Sequence, residues 1–453
     1  MLFSTSFLNE LFPENKGAVH INLSFHEVAT DSRKKTKKSL FVPLVGDNFD
    51  GHDFLKDAFN NGAVGALWQK DKSLPRFLPT DFPVYFVEDT LEALQRLASQ
   101  YRLEINPKVI GITGSNGKTT TKDMVGTVLT SAYNTHRTKG NFNNHIGLPL
   151  TILSMPRDTE VLVLEMGMSD FGEIQKLSEI AKPDYAIITN IGESHIEYLG
   201  SREGIAQAKT EIVAGMASEG RLYIDGDEPL LKNLDSTSLT VISCGFGPNN
   251  SIVLDAITMD SDYTDFQIAG EAFRLPMLGK HNVKNASFAI SIAKDLDVSM
   301  EQIKKSLLSL KISGMRFEKL QGLNGSTLIN DAYNASPTSM KAAIEVITEL
   351  AQYEKKILVL GDIFEIGETS KPLHRSVAEA ITDDIDMVLT MGKDASEITD
   401  QVQIEFPKTY AKHCTTEEEV LKELQPVLQE GTIILFKASR GMKFEKMVEQ
   451  LQE

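Results

Sequence analysis

Apolar residues fall into two recurrent patterns along this chain, and their order predicts an architecture. Continuous strand-sized runs occur at 108–112 (KVIGI), 160–165 (EVLVLE) and 184–190 (DYAIITN), with helical spacing between them. Such runs are apolar on both faces of a strand, which predicts a parallel sheet buried on both sides by helices. After about residue 313 the alternation resumes, with strands predicted near 326–330, 356–360, 386–390, 407–411 and 432–437. That is a second doubly wound sheet. Between the two, 251–275 has the shorter, turn-separated runs of antiparallel strands, followed by helices over 282–296 and 300–310. The first hundred residues carry isolated runs such as SLFVPLVG and VYFVED, and a helix over 89–103, capped by Asp89, leads out of them.

The predicted fold is therefore α/β in three domains. A smaller N-terminal α/β domain spans 1–100, a central P-loop-type parallel sheet lies within 101–313, and a Rossmann-like doubly wound sheet fills 314–453. A length of 453 residues agrees with this, at roughly 150 residues per domain.

Charge narrows the partners. Asp and Glu outnumber Lys and Arg by 63 to 46, a formal charge of −17 that opposes loose binding to nucleic acid or anionic membrane. The KKTKK run at 34–38 reads as a solvated turn. No apolar run approaches the ~20 residues of a membrane span. The opening MLFSTSFLNELF lacks the basic and long apolar regions of a signal peptide. Two distant cysteines, Cys244 and Cys414, predict neither a disulfide framework nor a zinc site and fit the cytoplasm.

The strongest local signal is KVIGITGSNGKTTTKDM at 108–124, an apolar strand entering a glycine-rich turn from which a helix leaves. Amides of Gly114 to Lys118 can point at phosphate oxygens there, aided by the helix dipole. Lys118 would reach the β- and γ-phosphates, and the Thr119 hydroxyl would ligate Mg²⁺. The common phosphate-loop pattern also places a glycine at 112, where this chain has isoleucine. Thr113, Gly114, Ser115, Asn116, Gly117, Lys118 and Thr119 are the candidate ATP-loop residues.

Further motifs follow in order: TKGNFNNHIGL at 138–148, VLEMG at 163–167, TNIGESHIEYL at 189–199, AQAKTEI at 206–212, GKHNVKNAS at 279–287, GMRFE at 314–318 and NDAYNASPT at 330–338. With TGSNGKTT at 113–120 they resemble the Mur ligases and the related folylpolyglutamate synthases, which form amide bonds with ATP. Segments 140–151 (GNFNNHIGLPLT), 331–340 (DAYNASPTSM), 360–374 (LGDIFEIGETS…H) and 438–446 (ASRGMKFEK) are most similar to the Mur member that joins D-alanyl-D-alanine to UDP-N-acetylmuramoyl-tripeptide. Segment 30–54 is similar to a uridine-nucleotide-binding domain of that family.

The resemblance implies ATP and Mg²⁺ as cofactors, an acyl-phosphate intermediate, small-molecule substrates, a role in peptidoglycan synthesis and a monomer. It makes Lys118, Glu165, His195 and Lys209 the candidate catalytic residues. Thr119, Glu165, His195 and a carbamylated Lys209 become metal ligands. Asn282 and Asn285 would read adenine, Arg316 would meet phosphate, and Asp331 would accept from ribose hydroxyls. Ser439 and Arg440 would receive the dipeptide, Arg440 by pairing with its carboxylate. Asp31, Ser32, Arg33, Asp50 and His52 are candidates for the uridine-diphosphate end, with Asn141 and Asn144 for other substrate contacts.

Structural alternatives stand beside these roles. Glu165 could also be a solvated strand-end acid, His195 a loop residue and Lys209 a helix-surface lysine. Asn282 could be a helix cap, Arg440 could open a helix, and Asp50–Gly51 could form a turn. A folate-type polyglutamate ligase and a non-catalytic ATP-binding regulator are the competing functions. Because ATP and a UDP-sugar peptide are anionic, the −17 excess is expected to lie away from a cationic cleft.

Overall fold

The computed structural model describes residues 1–232, 234 and 239–453. Among these, the central sheet has nine strands in the order Thr135–Arg137, Val161–Glu165, Lys108–Thr113, Tyr185–Ile188, Arg221–Asp225, Thr240–Gly245, Ile252–Met259, Thr264–Ile268 and Glu271–Leu275. The first seven run parallel, and the last two pair antiparallel, as the 251–275 pattern predicts. From Lys108–Thr113 the chain first builds outward on one side, then returns to add Tyr185–Ile188 on the other. This is a topological switch point, and open α/β sheets bind ligands in the crevice it leaves at the strands' carboxyl ends.

Ile112, the departure from the common loop pattern, lies in the strand opposite Glu165 and Ile187 and is wholly buried. The position is part of the apolar core, and the turn begins only after Thr113.

The C-terminal sheet has six strands, ordered Glu318–Gln321, Thr327–Asn330, Thr432–Lys437, Lys355–Gly361, Met387–Met391 and Tyr410–Cys414, with only the first antiparallel. The strand predicted near 407–411 starts later, at Tyr410. Residues after Phe406 make a turn through Pro407, which has no N–H to give a sheet. The N-terminal sheet has five strands, with Asn15–Lys16 as its antiparallel edge beside four parallel strands.

The helix predicted at 89–103 spans Thr90–Ile105, and the Asp89 side chain accepts from Glu92 N. It joins the first two units, because one apolar cluster runs from Phe3, Leu8 and Phe25 through Leu97 and Tyr101 to Leu148 and Leu164 of the central layer. The C-terminal sheet has a separate cluster on each face. Arg102 adds a polar tie. Buried on the same helix, its Nε donates to Ala181 O at 2.9 Å and its Nη2 to Lys182 O at 3.0 Å. These carbonyls end helix Glu173–Ala181, where no backbone partner remains for them. Replacing Arg102 with Met should strand both carbonyls and lower stability by about 2 kcal/mol in urea unfolding. An unchanged midpoint would show that water satisfies them equally well.

Candidate active site

The phosphate loop is held open by a neighbouring strand end. Ser115 N donates to Asn190 O at 3.1 Å, Asn116 N donates to Asn190 Oδ1 at 2.9 Å, and the Thr189 hydroxyl donates to Asn116 O at 2.6 Å. Two of the amides expected to face phosphate are thus engaged within the protein. The first helical backbone bond runs from Thr121 N to Gly117 O. The amides of Lys118, Thr119 and Thr120 precede it and carry the positive end of helix Lys118–Leu129. Asn190 and Thr189 were not singled out from sequence; their place in TNIGESH, one strand over from the loop, was the available signal.

Gly117 has φ +78°, and a Cβ there would come within 2.8 Å of Asn285 Oδ1. Asn282 and Asn285 lie one turn apart on helix Lys280–Asp295, both buried. Neither caps it: the cap position is Gly279, and Asn282 Nδ2 donates back to Leu278 O.

A cleft of about 530 Å³ opens above the loop. It is lined by Ser115 to Thr119, Glu165, His195, Asn282 and Asn285 from the central unit, and by Arg316 and Asp331 from the C-terminal unit. Thr113 and Gly114 lie beneath its floor, both buried, and Lys209 is likewise buried outside its lining. Three cations (Lys118, Arg316, Lys437) face three acids (Glu165, Glu173, Asp331) around it. The side chains are therefore balanced where a cationic surplus was expected. The chain's acidic excess does lie elsewhere, and positive potential in the cleft must come from amides and bound metal.

Lys118 Nζ donates to Gly114 O at 2.7 Å. Burial pulls its pKa down, Glu165 works against that, and Arg316 adds to it. Arg316 lies 4.2 Å over the Tyr333 ring, and its Nη2 donates to the Thr119 hydroxyl at 2.8 Å. Asp331 accepts from Phe317 N at 3.1 Å and from the buried Lys437 Nζ at 2.6 Å.

Glu165 is not a solvated acid. It is 3% exposed; Oε1 accepts from Asn143 Nδ2 at 2.9 Å, while Oε2 is buried without a hydrogen-bond partner among the described residues. Asn143 and Asn144 both line the cleft, and Asn144 also accepts from Ile146 N and Gly147 N to shape a helix start; Asn141 is exposed outside the cleft lining. Lys209 is not a surface lysine either. It is 1% exposed on helix Arg202–Thr210, with no hydrogen bond or ion pair among the described residues. Burial, then Lys118, drive its pKa well below the usual lysine range, toward the neutral amine. Burial, with Lys118 and Lys209 nearby, holds the His195 pKa down to about 4. Glu365 Oε2 lies 2.6 Å from His195 Nδ1, which has no aligned hydrogen bond among the described residues.

Among the described residues no three His, Cys, Asp or Glu side chains converge. Magnesium commonly takes one or two carboxylates and draws its other oxygens from phosphate and water. The free oxygen of Glu165 beside Thr119 fits such an ion arriving with a nucleotide.

The remaining candidates lie apart from this cleft. Ser439 Oγ accepts from Phe364 N at 2.9 Å, and Arg440 Nη1 pairs with Glu445 at 3.0 Å; both line a second cavity of about 310 Å³. In the N-terminal unit Arg33 grips Asp31 through Nε and Nη2, at 2.8 and 3.0 Å, and lowers its pKa to about 2. Ser32 is buried beside them, its carbonyl accepting from Asn61. Asp50 accepts from Lys72 and contacts His52 Nδ1, each at 2.6 Å, and caps the short helix Gly51–Phe54. Burial opposes ionisation of Asp50, but Lys72 and His52 overcome it and hold the acid below the usual range.

Comparison with known proteins agrees along the whole chain. Family models described as Mur ligase family, catalytic domain; Mur ligase middle domain; and Mur ligase, glutamate ligase domain match residues 24–102, 112–293 and 315–440. UDP-N-acetylmuramoyl-tripeptide–D-alanyl-D-alanine ligase of Bacillus subtilis is 48% identical over 431 residues, covering 94% of this chain and 93% of that protein. MurF from Acinetobacter baumannii superposes with a TM-score of 0.86 at 29% identity, covering 99% and 98% of the two chains. MurF ligase from Thermotoga maritima, solved in complex with ADP, gives 0.82 at 28% identity, covering 94% and 96%.

Gly117→Ala should weaken ADP binding about tenfold by calorimetry, since it adds both a disfavoured φ and a contact with Asn285. Unchanged affinity would show that the loop relaxes freely.

Proposed function

The chain belongs to the Mur ligase family, and from that premise we infer that it is an ATP-dependent ligase joining D-alanyl-D-alanine to UDP-N-acetylmuramoyl-tripeptide. Its product would be the pentapeptide precursor of peptidoglycan. One observation carries the reading: a phosphate loop at the sheet's switch point forms one cleft with residues of the C-terminal unit.

A carboxylate does not acylate an amine unaided, because oxide is a poor leaving group. Transfer of the ATP γ-phosphoryl group gives an acyl phosphate; the dipeptide amine attacks it, and phosphate leaves. Positioning and charge stabilisation dominate such chemistry. Lys118 would leave Gly114 O for the β- and γ-phosphates, joined by the open amides of the helix start. Arg316 would meet phosphate, Asp331 the ribose, and Asn282 with Asn285 the adenine edge. Magnesium bound with the nucleotide supplies Lewis-acid neutralisation of phosphate charge. Thr119 and Glu165 would hold one ion, and His195 with carbamylated Lys209 a second.

Burial supports carbamylation of Lys209, because only the neutral amine adds CO₂ and the product gains an anionic oxygen. In the outer units, Asp31, Ser32, Arg33, Asp50 and His52 are assigned to the uridine-diphosphate end, Asn141 and Asn144 to the donor, and Ser439 and Arg440 to the dipeptide. The three domains are proposed as 1–100, 101–313 and 314–453. The working unit is proposed as a monomer. The buried free thiols of Cys244 and Cys414 fit a reducing cytoplasm.

The match over 24–102 favours this reading over a folate-type ligase. Phosphate release should require both UDP-N-acetylmuramoyl-tripeptide and D-alanyl-D-alanine. Equal ADP formation without the dipeptide would contradict the reading. Lys118→Ala should cut turnover by about a thousandfold with the fold intact, whereas retained cellular activity without ATP binding would favour a regulator. Lys209→Ala should be inactive and partly rescued by a short carboxylate. Mass spectrometry at neutral pH should find one added CO₂ on Lys209 of the parent; an unmodified lysine in active protein would remove that assignment.

A further inference from the structure

The segment LGDIFEIGETS…H at 360–374 has no part in the ATP cleft, yet it builds one wall of the second cavity. This cavity shares His195, Tyr333 and Asn334 with the ATP cleft, so the two meet at a common wall. Among its described lining residues Glu365 is the one carboxylate and Arg440 the one guanidinium; Ile363, Phe364 and Ile366 lie between them in the wall. A small cavity with one charge of each sign and apolar surface between fits a short zwitterion with small side chains.

The Glu365 end is fixed by geometry. Its carboxylate lies 2.6 Å from His195 Nδ1, and His195 borders the ATP cleft where an acyl phosphate would form. The nucleophilic amine must come to that side. Glu365 remains about half exposed and has no aligned bond to His195, so its lone pairs are available.

The wall is also rigid. His374 is fully buried, and its Nε2 accepts from Ile363 N at 2.9 Å. That leaves Nδ1–H to donate to Ser370 O at 2.8 Å. Ser439 fixes Phe364 N. Asp362 accepts the amides of Lys393, Asp394 and Ala395. Glu365 and His195 meet with φ of +60° and +65°, a conformation that non-glycine residues keep only when their surroundings impose it.

We infer that Glu365 binds the ammonium of the incoming dipeptide and that His374 is a positioning residue for the loop presenting it. The inference rests on the dipeptide-ligase reading above and assigns the amine end of that substrate. An acidic anchor at the amine and Arg440 at the carboxylate would select a free, unblocked dipeptide.

The test uses the full-length enzyme with ATP, UDP-N-acetylmuramoyl-tripeptide and D-alanyl-D-alanine. Glu365→Gln should raise the dipeptide KM roughly ten- to hundredfold, the range of a charge-assisted hydrogen bond. The KM values for ATP and the UDP-tripeptide should stay within about twofold. N-acetyl-D-alanyl-D-alanine, which has no ammonium, should inhibit the parent at least about tenfold less tightly than free dipeptide binds, and should not distinguish the parent from Glu365→Gln. His374→Ala should also raise the dipeptide KM, with His374→Asn partly restoring it, because an amide can still accept from Ile363 N–H. An unchanged dipeptide KM in Glu365→Gln, or equal binding of acetylated and free dipeptide by the parent, would overturn the inference while the ligase reading stands. A parent enzyme that does not use the dipeptide at all would overturn both.

Discussion

A lysine withdrawn from water needs an anion to stay charged, and the centre of this molecule holds two with no anion bonded to them among the described residues. Lys118 leans on loop carbonyls, and Lys209 is buried with no polar partner among the described residues. Beside them, a carboxylate oxygen of Glu165 is equally unpaired. Each group is costly to bury alone. On them rests the proposal that the site is completed from outside, by phosphate at Lys118, by a cation at Glu165 and by CO₂ at Lys209. The rest of the architecture keeps these groups in place until that happens.

The switch point of the central sheet opens a crevice at the carboxyl ends of Lys108–Thr113 and Tyr185–Ile188, and Asn190 pins the loop across it. The C-terminal unit then reaches over. Arg316 holds the Thr119 hydroxyl, Ser336 donates to Asn116 Oδ1, and Thr338 donates to Glu193. A nucleotide with its metal must displace the first of these contacts, so binding at the loop is felt in the C-terminal unit. The overall charge of −17 does not oppose this, because the cleft's side chains are balanced and its attraction for phosphate is local.

Much of this was legible in the sequence because burial on both faces leaves continuous apolar runs. The central strands follow from that pattern, the antiparallel 251–275 patch from shorter, turn-separated runs, and the helix expected at 89–103 from apolar residues at helical spacing. Strands Arg221–Asp225 and Thr240–Gly245 did not stand out, since the latter is only partly buried and mixes serine and threonine with its apolar residues. At the site, residue types with strong chemistry were readable: Lys118, Glu165, Arg316 and Asp331 converge. Supporting residues were not. Asn143, Asn190 and Lys437 act through tertiary contacts that leave no periodic trace, and Asn143 was passed over for two asparagines beside it. The loop amides were overcounted because bonds from Ser115 and Asn116 to a distant strand end cannot be seen locally.

The central claim is that Lys118 and the free Glu165 oxygen await nucleotide and metal, while Lys209, driven toward the neutral amine, awaits CO₂. A crystal structure with a non-hydrolysable ATP analogue and Mg²⁺ tests it most directly. Lys118 Nζ should leave Gly114 O for the β- and γ-phosphate oxygens, and Glu165 Oε2 should face the ion. Arg316 should have released the Thr119 hydroxyl. A nucleotide bound elsewhere, with Lys118 still on Gly114 O and Glu165 Oε2 still unpaired, would contradict the account.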